Sequence, residues 1–109
     1  MKERRITVFK NYFWDFYNSL EKDAKIKVDY SLSILKTENK ISPKFVKSIR
    51  NGLYELRSQI NGNIFRVFFI FDKGNLVVLF SGFQKKTQKT PESEIKRALK
   101  IMNEYYEEE

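Results

Sequence analysis

Three apolar runs follow one another with almost nothing between them: residues 53–59, 64–71 and 76–83, divided by Asn61-Gly62 and by Asp72-Lys73-Gly74-Asn75. Each run is rich in β-branched and aromatic residues, which suit a pleated, half-buried surface. Asn-Gly supplies the two positive-φ positions that a tight type I′ hairpin turn demands. Connections this short leave no room for a crossover, so the runs predict an antiparallel three-stranded meander.

The rest of the chain is read around that meander. Residues 5–10 have the length and composition of an opening strand. Phe13, Phe16, Tyr17, Leu20 and Ala24 recur at helical spacing, and Val28, Leu32 and Leu35 repeat it, with Asp23 placed to cap a second helix. Ser42-Pro43 reads as an N-cap with a first-position proline, opening a short helix to about Ile49. Phe45, Val46 and Ile49 would face inward there, with Lys40, Lys44 and Lys47 on another face. Thr90-Pro91 would cap a last helix whose apolar stripe is Ile95, Ala98, Leu99, Met102 and Tyr106. The order predicts an α+β fold: a mostly antiparallel sheet, N-terminal strand plus C-terminal meander, with helices covering one face.

At 109 residues the chain is expected to form a single domain, 1–109. A hydrophobic share of 41%, with ten Phe and six Tyr, argues against disorder. The net charge of +7 favours an acidic partner, nucleic acid first. Four acids, Glu104, Glu107, Glu108 and Glu109, sit at the end of the chain, so the remainder is more basic than the total. Without Cys there are no disulfides, thiolate nucleophiles or zinc–thiolate sites; without His the commonest general base and metal ligand are missing. No carboxylate cluster has metal-ligand spacing, so no metal or other cofactor is expected. No apolar run reaches membrane-spanning length, and Met1-Lys2-Glu3-Arg4-Arg5 lacks a signal peptide's apolar region. A cytoplasmic protein with no membrane partner is expected.

Two arginines stand out against this pattern. If Asn61-Gly62 holds the centre of the turn, Arg57 lies directly opposite Arg66, both on one face. Like charges so placed destabilise a sheet unless something anionic sits between them. The next turn would set Ser81 opposite Arg66, with Gln84, Lys85 and Lys86 emerging at the same end. The plainer alternative is that Arg57 pairs with Glu55 or a helix acid and Arg66 merely extends to solvent.

Residues 84–91 add three lysines, two glutamines and two threonines with no acid, between a strand and a helix. Such a segment either stays solvated or binds phosphate. A basic, histidine-free site is poor for ester hydrolysis and reasonable for breaking RNA, where the substrate's 2′-hydroxyl is the nucleophile. Arg57 and Arg66 would stabilise the charge on phosphorus, since arginine forks match phosphate oxygens and stay charged. Lys85 or Lys86 would assist or donate a proton, and Glu55, on the face of Arg57, would accept the 2′ proton. Phe83 would stack on a base, with Gln84, Lys89, Lys44 and Lys47 along the backbone.

The pieces Gly52-Leu53-Tyr54-Glu55-Leu56-Arg57, Phe65-Arg66-Val67-Phe68-Phe69 and Gly82-Phe83-Gln84-Lys85-Lys86-Thr87 resemble the RelE/HigB superfamily of type II toxins, most closely its phage-derived HigB-like branch. The resemblance implies a RelE-like fold and a ribosome-dependent mRNA endoribonuclease that inhibits translation. It implies mRNA and ribosome as partners, and a helix-turn-helix antitoxin in a toxin–antitoxin hetero-oligomer. In that family, basic residues matching Arg66, Lys85 and Lys86 contact the scissile phosphate. Leu53 and Glu55 stand where RelE has lysines, and neither its C-terminal tyrosine nor the histidine of some HigB proteins has a counterpart. Two alternatives stand beside this reading: a basic module that binds RNA or DNA without cutting it, and a phage protein that inhibits a host factor.

Overall fold

The structure, a computed structural model, describes residues 3–108. Met1, Lys2 and Glu109 lie outside the described residues, and with them part of the N-terminal reading and the last of the terminal acids. β1 (Arg5–Val8) leads to α1 (Tyr12–Asn18) and α2 (Lys22–Thr37). β2 (Val46–Arg50), β3 (Leu53–Ile60), β4 (Asn63–Phe71) and β5 (Leu76–Lys85) follow, and α3 (Glu92–Glu108) closes the chain. The strands form one sheet in the order β1-β5-β4-β3-β2, in which only β1 and β5 pair in parallel. This is the expected α+β class, RelE-like in architecture.

The short helix expected from Ser42 to Ile49 does not form. Ser42 does start a turn: its Oγ accepts from Lys44 N at 3.1 Å and its carbonyl from Phe45 N at 2.9 Å. The chain then extends as β2, because β-branched Val46 and Ile49 are worth more against the edge of β3 than in one turn of helix. Val46 packs on one face of the sheet and Ile49 on the other, so the two do not share an inward side.

Helices cover both faces, where one was expected. α1 and α2 pack over Leu56, Phe65, Val67, Phe69, Val77 and Leu79; α3 packs over Leu53, Phe68, Ile70, Val78 and Phe80. The central strand β4 is therefore buried on alternate sides without interruption from Phe65 to Ile70, which is why its sequence is continuous rather than alternating. On α3 the buried stripe includes Ile101, and Tyr106 is exposed instead. Ala24 belongs to α2, whose N-cap position is Glu21; Asp23 lies in its first turn and accepts from Asn61 Nδ2 at 3.1 Å. Among the described residues no helix is long and apolar enough to cross a membrane.

Candidate active site

The turn after β3 sets the site. Asn61 and Gly62 have φ of 51° and 79°, as a type I′ turn needs, and the register that follows pairs Arg57 with Arg66. The register on the other side of β4 differs from expectation. Phe71 pairs with Val77, one residue later than a turn centred on Lys73-Gly74 gives. A bulge then sets Phe80 and Ser81 against Phe68 alone. These two single-residue shifts put Phe83, not Ser81, opposite Arg66. Ser81 is buried in the bulge, with its Oγ lacking a hydrogen-bond partner among the described residues.

Because side chains alternate along a strand, Glu55, Arg57, Arg66, Phe83 and Lys85 project from the α3 side of the sheet. Lys47, opposite Glu55 on β2, joins them. α3 covers the other end of that face, which leaves this end open to the segment after β5.

Arg66 is the centre. It is 5% exposed, beside Glu55 at 1%, with Nε 3.3 Å from Glu55 Oε1. The Nε–H is not directed at that oxygen, so the contact is ionic and the N–H has no hydrogen bond among the described residues. Nη1 donates to the Phe65 carbonyl at 3.0 Å. Burial lowers the Arg66 pKa from its ordinary value; Glu55 opposes this and Arg57 adds to it. Glu55 thus compensates Arg66 and not Arg57, whose Nη1 donates instead to the Pro43 carbonyl at 3.3 Å. Among the described residues Arg57 therefore has neither of the acidic partners that would have made it structurally ordinary.

Lys85, half-buried at the end of β5, has its pKa lowered by burial first and by Arg66 second. Phe83 stacks on Phe68, with ring centroids 5.7 Å apart, and so is tied to the core. Gln84 is exposed and donates from Nε2 to Asn63 Oδ1 at 3.1 Å. Lys86 and Lys89 are exposed in the following segment, as are Lys44 and Lys47 near β2. Lys44 and Lys47 do not form a helical stripe with Lys40, since the helix that would align them is absent.

One member of the site escaped the sequence reading. Thr90 does not cap α3: the first helical carbonyl is that of Pro91, which accepts from Ile95 N at 3.2 Å. The Thr90 hydroxyl donates instead to Glu55 Oε1 at 3.1 Å. A glutamate at a position of β3 that faces α3, between Leu53 and Arg57, was the available sign of a buried polar network.

No curated protein matches the chain. A family model does, over residues 15–103, a span that holds every side chain of the site described above. The chain belongs to the family described as Phage derived protein Gp49-like (DUF891), within the RelE/HigB-like group of toxin–antitoxin toxins.

Proposed function

We propose that this protein is the toxin of a type II toxin–antitoxin pair and a metal-independent endoribonuclease that cuts mRNA on the ribosome. The observation that carries the reading is the pairing of Arg57 with the buried Arg66 on one face of the sheet, beside Lys85 and with no acid on Arg57 among the described residues. A dianionic phosphorane between the two guanidiniums converts their repulsion into attraction, and preorganised donors of this kind supply a large part of a rate enhancement.

In the reaction the substrate 2′-oxygen bonds to phosphorus as the P–O5′ bond breaks, leaving a 2′,3′-cyclic phosphate and a 5′-hydroxyl. The Lys85 ammonium, its pKa lowered, gives a proton to the leaving 5′-oxygen. Glu55 fixes Arg66 and receives the 2′ proton. Thr90 donates a hydroxyl hydrogen to Glu55 and holds that carboxylate in place. Glu55 on β3 and Lys85 on β5 lie either side of Arg66 on β4, as attack and departure on opposite sides of phosphorus require. Lys86, Lys89, Gln84, Lys44 and Lys47 bind the strand by its phosphates. A helix-turn-helix antitoxin holds the toxin inactive in a hetero-oligomer in the cytoplasm.

Mapping of transcript 5′ ends after a brief pulse of protein tests this, with Arg66→Ala, checked for folding, alongside. New ends in fixed register with the reading frame that vanish in the variant are expected. The burial of Glu55 favours a second reading, a basic module that binds RNA and cuts nothing. Growth arrest without new 5′ ends would overturn the nuclease reading, and a pull-down from lysate would then separate this module from an inhibitor of a host factor.

A further inference from the structure

β2 stops pairing with β3 at Leu56, and along the edge of β3 beyond it runs an open cleft of about 710 Å³. One wall carries two rings from distant segments, Tyr30 of α2 and Phe45 just before β2, edge to face with centroids 6.1 Å apart. Tyr30 is 49% exposed, so its ring is open to a ligand. Lys27 Nζ lies 5.0 Å from the Tyr30 centroid, and Lys44 Nζ lies 6.0 Å from that of Phe45. Arg57 and Arg66 also line the cleft, and no carboxylate does so among the described residues.

Aromatic faces flanked by cations with no acid fit a ligand that is flat at one end and anionic at the other. An apolar peptide would strand the cations, and a simple anion would leave the rings unused. From this combination we infer that the cleft is a subsite for one unpaired nucleotide of the RNA strand being cut. Its base stacks on Tyr30, and its phosphate lies between Lys27 or Lys44 and Arg57. A strand whose phosphate occupies Arg66 passes straight into the cleft, because Arg57 and Arg66 belong to both. This assignment rests on the RNA-cleaving function proposed above and adds a site to it.

The direct test is fluorescence anisotropy of a short 2′-O-methyl oligoribonucleotide, which cannot be cleaved, with purified wild-type, Tyr30→Ala and Tyr30→Trp proteins. Loss of a stacked base is expected to weaken binding about tenfold in Tyr30→Ala. Tyr30→Trp should bind as well as wild type. In 5′-end maps, Tyr30→Ala should change which nucleotides flank the cut. Equal binding by all three proteins overturns the assignment. So does weaker ribosome association with unchanged flanking nucleotides, which would make the ligand ribosomal RNA. If the wild-type protein yields no new ends, the nuclease reading falls, and the anisotropy difference alone still decides whether the cleft holds a nucleotide.

Discussion

Thr90 Oγ1 donates to Glu55 Oε1 across 35 residues of sequence, at 3.1 Å, and thereby fastens the basic segment after β5 to the sheet that carries Arg66. The bond is between a part-buried hydroxyl and a carboxylate that already serves as counter-charge. It joins two functions in one place: holding the counter-charge of Arg66 and positioning the loop.

Thr90→Val removes that donor and keeps the shape. Stability should fall by only about 1 kcal/mol, the usual net worth of such a bond. RNA cleavage should fall by about tenfold or more, since Lys86 and Lys89 lose their anchor. Thr90→Ser should restore both. Equal cleavage by Thr90→Val and wild type would reduce the bond to a local tether.

Arg57 and Arg66 should differ in the sign of their effect on stability. Arg66→Ala leaves Glu55 buried without its cation and should destabilise the fold by about 3 kcal/mol in urea titration. Adding Glu55→Gln should recover much of that. Arg57→Ala removes a like-charged neighbour and should be neutral or stabilising by up to about 1 kcal/mol. Both should lower cleavage by about a hundredfold. Arg66→Lys, which keeps the charge and loses the fork, separates charge from geometry.

Lys85 carries a pH signature. Its pKa is lowered in the fold, so the folded chain binds fewer protons than the unfolded one between the lowered value and the ordinary 10.5. Stability therefore rises with pH through that window, and the penalty for holding the ammonium persists at neutral pH. Lys85→Met should raise the melting temperature at pH 7 and remove the alkaline gain, while cleavage drops. In wild type, cleavage should decline with rising pH earlier than an unperturbed lysine would make it. A melting temperature at pH 7 that falls on Lys85→Met would contradict this.

Gly82 tests the far side of the sheet. A Cβ there would lie 2.5 Å from the Phe16 ring, so the ring or the strand must move. Gly82→Ala should destabilise by about 1–3 kcal/mol, the range for overpacked cores. Phe16→Leu in the same chain should relieve it. Chemical denaturation of the two single variants and the double variant gives the coupling.

The meander and the Arg57–Arg66 register were legible because Asn61-Gly62 admits few alternatives and side-chain alternation does the rest. The bulge at Ser81 was not, since an extra residue leaves the apolar pattern of 76–80 intact and is fixed only by how β5 meets β4. β2 was misread because Ser42-Pro43 opens a helix and a turn with the same residues; the free edge of β3 decided between them. Burial of both sheet faces was implied by the unbroken apolar run of β4, although no local rule says which helix goes where. Thr90 and Tyr30 acquire their places only through tertiary packing, so neither carried a local sign.

The parallel pairing of β1 with β5 has a consequence for how the molecule comes into being. β1 has no partner strand until β5 has been synthesised; Lys85 is the final residue of β5, and Thr90 arrives later still. An N-terminal fragment thus contains Arg57 and Arg66 but cannot assemble the proposed centre around them. A premature stop codon almost anywhere before α3 would therefore leave the proposed centre unbuilt.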